Sequence, residues 1–173
     1  MHMPHDNPHR RGGTLMLGIA WLMLMAGGWW FFDGWLGRQS NPNQSVQTTA
    51  AGAVVLDRNR GGHYVASGEI NGAPVVFLLD TGATDVALSS GLARRLGLRP
   101  GPEVTLITAN GQVRSFRTRL DSVRLGGIVL HDVAAVFSDG IEDDTVLLGM
   151  SFLKRLDFSQ QNGRLILRSA TAP

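Results

Sequence analysis

The chain has 173 residues, with sixteen lysine and arginine side chains against fourteen aspartates and glutamates, and no cysteine. That length suits one globular domain with appendages, and the lack of cysteine excludes disulfides, thiolate metal sites and a cysteine nucleophile. A formal charge of +2, with Lys154 the single lysine, gives no reason to expect a nucleic-acid partner.

Residues 1–11 read as a polar cytoplasmic tail. His2, His5 and His9 lie there, but nothing fixes their geometry for a metal. Residues 12–32 run twenty-one positions without a charge. As a helix this stretch spans roughly 31 Å, the thickness of a bilayer's hydrocarbon, and predicts one transmembrane anchor. Trp29, Trp30 and Trp35 cluster at its far end and Arg10 and Arg11 flank its near end. By the positive-inside rule the N-terminus stays cytoplasmic and the rest lies outside. The small residues Ala26 to Gly28 run into Trp-Trp-Phe-Phe, a poor context for signal cleavage, so the anchor is expected to be retained. Residues 33–52, with the polar run Gly37 to Gly52, read as a linker.

Residues 53–173 form the expected folded domain, and its pattern is mostly β. Three Asn-Gly pairs, at Asn71-Gly72, Asn110-Gly111 and Asn162-Gly163, sit between apolar or alternating runs and predict hairpins. Their arms are Tyr64 to Ile70 with Ala73 to Leu79, Glu103 to Ala109 with Gln112 to Leu120, and Leu156 to Gln160 with Arg164 to Arg168. A fourth pair, Asp121 to Leu125 and Ile128 to Phe137, surrounds Gly126-Gly127. Two short helices are expected, over Ser89 to Gly97 and over Ser151 to Leu156, the first with a serine N-cap and a terminating glycine. A weak internal repeat is visible: each half runs hairpin, apolar strand, glycine, short helix.

The chemistry concentrates at Val75 to Thr84, where five apolar residues run into Asp80-Thr81-Gly82-Ala83-Thr84. A carboxylate ending a buried strand is costly unless it is hydrogen-bonded or used. Gly82 lets the backbone approach that carboxylate, and Thr81 offers a hydroxyl. Other constellations fail. There is no HExxH, Gly149-Met150-Ser151 is only half a nucleophile elbow, and the acidic loop Asp139, Glu142, Asp143, Asp144 lacks EF-hand spacing, so no metal or cofactor is expected.

Val75 to Thr84 resembles the active-site loop of retropepsin-like aspartic peptidases. Val146-Leu147-Leu148-Gly149 resembles that family's second landmark, ahead of its C-terminal helix, and Asn110-Gly111 lies where the family has its flap. The run Leu147 to Leu156 also resembles the membrane-anchored bacterial branch. The resemblance implies an all-β, single-lobe acid-protease barrel with one or two short helices, preceded by one transmembrane helix. It implies catalytic roles for Asp80, Thr81 and Gly82, and substrate contacts from Ala83, Thr84, Asp85, Asn110, Gly111, Leu148 and Gly149. Thr84 and Asp85 stand where viral members commonly carry two acidic residues.

The chain has no second Asp-Thr-Gly or Asp-Ser-Gly. Aspartic-peptidase chemistry needs two carboxylates sharing a proton, so an active enzyme must be a homodimer cutting a polypeptide substrate with one Asp80 from each chain. The family and the charge asymmetry together place it as a single-pass protein of a bacterial inner membrane, with a periplasmic catalytic domain. The alternative is a catalytically silent dimerisation or peptide-binding module of the same fold.

Overall fold

The computed structural model describes residues 18–31, 39–108, 111–141 and 144–170. These fall into two compact units divided between Gly37 and Arg38. In the first, residues 18–31 form helix α1. The expected anchor, 12–32, extends past the described residues at both ends, and among the described residues no helix is long and apolar enough to cross a membrane.

The second unit is a β-structure built on two sheets. One sheet has the order β1-β2-β11-β10, from Gln47–Thr48, Val54–Asp57, Arg164–Ser169 and Leu156–Gln161. The other has the order β3-β4-β9-β5-β8-β7-β6, and β3 also pairs with β7. Its strands are β3 Val65–Ile70, β4 Ala73–Leu79, β5 Val86–Ser89, β6 Glu103–Thr108, β7 Gly111–Leu125, β8 Ile128–Ser138 and β9 Thr145–Leu148. Two short helices, α2 Ser90–Arg95 and α3 Met150–Leu153, complete the unit. Between the sheets lies one apolar cluster that fully buries Phe77, Phe152, Leu56, Ile70, Leu88, Leu120, Leu125, Leu148 and Leu167. Each such side chain contributes about 1.5–3 kcal/mol from leaving water.

The predicted hairpins form for the reason their turns suggest. Asn71 and Gly72 have φ of 51° and 79°, and Asn162 and Gly163 have 50° and 76°. Two consecutive residues in the left-handed region twist with the strands, and Asn-Gly tolerates that conformation. Asn110 lies outside the described residues; the strands on either side do pair, but Thr108 sits opposite Gly111 and Ile107 opposite Gln112, so Gly111 belongs to the strand and the register differs from one closed by an Asn110-Gly111 turn. α2 begins after Ser89, whose hydroxyl accepts from the Leu92 N–H at 3.1 Å, and Gly97 follows its end at φ 66°. α3 starts one residue earlier than predicted and ends at Leu153.

Two features depart further from the sequence reading. The segments Gln112 to Leu120 and Asp121 to Leu125 are one fifteen-residue strand, β7. Its inward positions jump from Leu120 to Val123, an odd step, while those of β8 jump from Leu130 to Val133. Leu120 pairs with Val133 and Val123 with Leu130, so both strands turn their other face inward at the same place. Asp132 lies between them at φ 54°, and Arg119 grips its carboxylate. The long ribbon thereby wraps the core as a corner.

The second feature is the polar run before residue 53. From 39 onward it belongs to the folded unit. Asn43 is only 4% exposed and bridges β3 at Ala66. Its Nδ2 donates to the carbonyls of Asp57 at 2.9 Å and Val65 at 2.7 Å, and its Oδ1 accepts from the Asp57 N–H at 2.7 Å. One side chain thus ties the end of β2 to the start of β3, across the two sheets. Residues 33–38, the rest of the expected linker, lie outside the described residues.

Candidate active site

The two landmarks of the sequence lie side by side. β4 and β9 pair in parallel, with Phe77 opposite Val146, Leu78 opposite Leu147 and Leu79 opposite Leu148. The chain leaves β4 at Asp80 exactly where β9 ends at Gly149, and the Asp80 N–H donates to the Leu148 carbonyl at 3.2 Å. Leu148 is fully buried, so what it gives the loop is that oxygen.

The loop after Asp80 is then held by α3. The Met150 N–H donates to the Ala83 carbonyl and the Ser151 N–H to the Thr84 carbonyl, both at 2.8 Å. These first N–H groups of α3 have no partner within the helix, so binding the loop satisfies both sides. The approach is close enough to require glycine at 149. A Cβ there would lie 2.7 Å from the Ala83 oxygen and nearer still to that of Asp85. The Ser151 hydroxyl accepts from the Val86 N–H at 3.1 Å and donates to the Ala134 carbonyl at 2.7 Å. It therefore joins α3 to β5 and β8, a bracing role that the sequence reading did not assign. Its only sequence signal is a hydroxyl two residues after the Leu-Leu-Gly landmark.

Within the loop, the Gly82 N–H donates to Asp80 Oδ1 at 2.8 Å, which fixes the carboxylate's orientation. The Asp80 carboxylate is partly exposed, and Thr81 is exposed with no hydrogen-bond partner for its hydroxyl among the described residues. Asp80 and Thr81 line a depression of about 280 Å³ together with Tyr64, Leu79, Leu153 and Phe158. Asp80 is the one carboxylate among the described residues of that lining. Thr84 and Asp85 border a different, larger concavity. Gly111 opens β7 at the hairpin where the flap is expected, and Asn110 lies outside the described residues. At the base of that hairpin Arg114 pairs with Glu103 at 2.6 Å, a hydrogen bond that raises the guanidinium's pKa above its ordinary value. No group of three or more metal-ligating side chains occurs among the described residues.

Comparison with known proteins agrees with this geometry. Residues 66–155 match the family described as "gag-polyprotein putative aspartyl protease". The chain is 32% identical to a structure titled as a retropepsin-like aspartic protease from Rickettsia conorii. That match has a TM-score of 0.58 and covers 68% of this chain and 91% of the other. The chain belongs to the retropepsin-like aspartic peptidases. It is also 34% identical over 110 residues to an uncharacterized protein from the cobV 5′ region of a Sinorhizobium species, and 32% identical over 111 residues to an uncharacterized protein of Rickettsia prowazekii. Each match covers 62% of this chain, and the chain spans about half the length of these curated relatives, 47% of each. The family match begins inside β3 and ends just after α3, so it contains the whole braced loop.

Proposed function

We propose that the chain is a homodimeric aspartic endopeptidase in which Asp80 from each of two copies activates one water. The observation that carries this reading is the oriented Asp80 carboxylate, alone in a depression whose apolar rim is left uncovered. The rim's clearest sign is Phe158. It pairs with Leu167 across the β10–β11 ladder and so shares the face that carries Leu167 into the core. Leu167 is fully buried, yet Phe158 is 45% exposed. β10 is also the outer strand of its sheet, and every residue from Asp157 to Gln161 is exposed. A core-side face left open beside a half-complete site, along an unpaired edge, supports a second copy as its cover.

In the dimer one carboxylate is ionised and the other protonated, because two like charges so close do not both ionise. The ionised Asp80 takes a proton from water as the water oxygen bonds to the scissile carbonyl carbon. The protonated Asp80 gives its proton to the carbonyl oxygen, which becomes the second hydroxyl. Collapse of the resulting diol breaks the carbon–nitrogen bond: the now ionised Asp80 takes a proton from a diol hydroxyl, the other Asp80 gives its proton to the leaving nitrogen, and the dyad keeps one proton. The Gly82 N–H holds each carboxylate in place, and the Thr81 hydroxyl, without a partner among the described residues, is available to the second copy. The hairpin of β6 and β7 closes over the bound polypeptide and excludes water.

We extend the proposal to location. The uncharged run 12–32, with arginines before it and tryptophans clustered at its far end, supports an anchor that holds the domain on the periplasmic face of a bacterial inner membrane. Anchoring also raises the local concentration of protomers.

The test uses the full chain in neutral detergent, as wild type and as Asp80→Asn, incubated with an unfolded protein from acidic to neutral pH. Cleavage by wild type alone, rising faster than linearly with enzyme concentration, is the expected result. Equal cleavage by Asp80→Asn, or specific activity that does not fall on dilution, overturns the mechanism. A stable dimer that cuts nothing at any pH moves the protein to the silent binding-module reading.

A further inference from the structure

The larger concavity, about 980 Å³, begins at Thr84 and Asp85, directly after the braced loop. Its lining includes the half-buried Ala134 of β8, whose small side chain leaves room. One wall is the outward face of β7, where Arg117 and Arg119 alternate along the strand, and the other is the segment from Leu96 to Pro102.

Backbone bonds fix the two walls against each other. The Gly101 N–H donates to the Arg117 carbonyl at 2.8 Å, the Arg117 N–H donates to the Pro102 carbonyl at 3.0 Å, and the Thr118 hydroxyl donates to the Arg99 carbonyl at 3.0 Å. Arg99 and Arg117 therefore spring from adjoining backbone. Arg119 is already engaged by Asp132. Arg99 and Arg117 form no ion pair with any described carboxylate. Two guanidinium groups on the lining of one groove, with no ion-pair partner among the described residues, attract a carboxylate, which a guanidinium grips through paired N–H donors. Asp85 and Asp121 stand elsewhere on the lining. The groove thus carries both signs of charge, which suits a polypeptide better than a uniform polyanion.

We propose that this groove receives the flank of the polypeptide substrate beyond Thr84, and that Arg99 and Arg117 select an acidic side chain on that flank. The inference rests on the peptidase reading and adds a specificity site outside the catalytic depression. Because Arg117 lies on β7, the strand that also carries the flap hairpin, an occupied groove steadies the same strand that closes over the cut bond.

The experiment uses the full chain and three fluorogenic peptides: an apolar core alone, the same core extended at both ends with glutamates, and the core extended with lysines. For wild type, kcat/KM is expected to be higher for the glutamate-extended peptide than for the core. In the double variant Arg99→Ala, Arg117→Ala the ratio of extended to core is expected to fall about tenfold, the scale of one charge-assisted hydrogen bond. In Arg99→Glu, Arg117→Glu the preference passes to the lysine-extended peptide. An extended-to-core ratio that is the same in wild type and both variants overturns the proposal. Fluorescence anisotropy of the extended peptides on Asp80→Asn reads the groove without any cleavage. Preferential binding of the glutamate peptide, lost on removing the arginines, supports the groove even if wild type cuts nothing. Equal binding of the two extended peptides refutes it while leaving the peptidase reading standing.

Discussion

Asn43→Ala removes three hydrogen bonds at once: two donated to the Asp57 and Val65 carbonyls and one accepted from the Asp57 N–H. A typical bond of this kind contributes a net of about 1 kcal/mol, and a buried group left unpaired costs about 1–3 kcal/mol. Asp57 is exposed, so water can reclaim part of its loss. The balance is a destabilisation of about 2–3 kcal/mol. With a urea dependence of about 2 kcal/mol per molar, that moves the unfolding midpoint down by roughly 1 M. Asn43→Asp sharpens the test because it preserves volume and the accepting oxygen. It replaces both donors with an oxygen that faces two carbonyls, so at neutral pH it is expected to destabilise at least as much as alanine. A carboxylate so placed has its pKa raised on folding. The penalty is present above that raised value and shrinks as pH falls and the group is protonated. Urea melts of the full chain at neutral and acidic pH read both effects. An alanine variant within about 0.5 kcal/mol of wild type, or an aspartate variant indistinguishable from it, refutes the clamp.

Three further outcomes follow from the site and its surroundings. Gly149→Ala pushes α3 off the Ala83 and Asp85 carbonyls and is expected to cost about 1–3 kcal/mol while abolishing peptidase activity; thermal melts with a peptide assay check both. Tyr64 has a buried hydroxyl with no hydrogen-bond partner among the described residues, so Tyr64→Phe is expected to leave stability unchanged or raise it by up to about 1 kcal/mol in the same melts. The hydrogen bond from Arg119 holds the Asp132 carboxyl below its usual pKa. The stabilisation from that pair is therefore full above the ordinary carboxylate range and is lost as pH falls through the lowered value. The melting-temperature gap between wild type and Asp132→Asn should be flat near neutrality, close in strong acid, and narrow in high salt because the pair is exposed.

Where structure follows from neighbouring residues, the chain could be read directly. The Asn71-Gly72 and Asn162-Gly163 turns, the Ser89 cap and the run of apolar residues into Asp80 each depend on a few adjacent side chains, and each is where expected. β7 was split in two because its alternation loses phase after Leu120. The phase returns only when β8 slips at the same rung, which is a fact about pairing and cannot be seen in either strand alone. Asn43 sits in a polar, aperiodic run, and its three partners are groups of Asp57 and Val65, distant in sequence and identical in any residue, so nothing local marks it. Ser151 reads in the sequence only as part of an incomplete nucleophile elbow, and its bracing role is hidden for the same reason. The resemblance reached the loop and its second landmark because Asp-Thr-Gly-Ala and Leu-Leu-Gly are side-chain signals, while the serine acts through the backbone of Val86 and Ala134.

The parallel pairing of β4 with β9 also has a meaning for biosynthesis. Val76 finds its neighbour at Thr145, across most of the domain, and such distant pairings form late in folding. Asp80 leaves the ribosome early, but the carbonyls beside it gain their brace only when Met150 and Ser151 have been made and docked. A nascent chain therefore carries the aspartate without the frame that orients it until the segment about seventy residues further on has been made and docked.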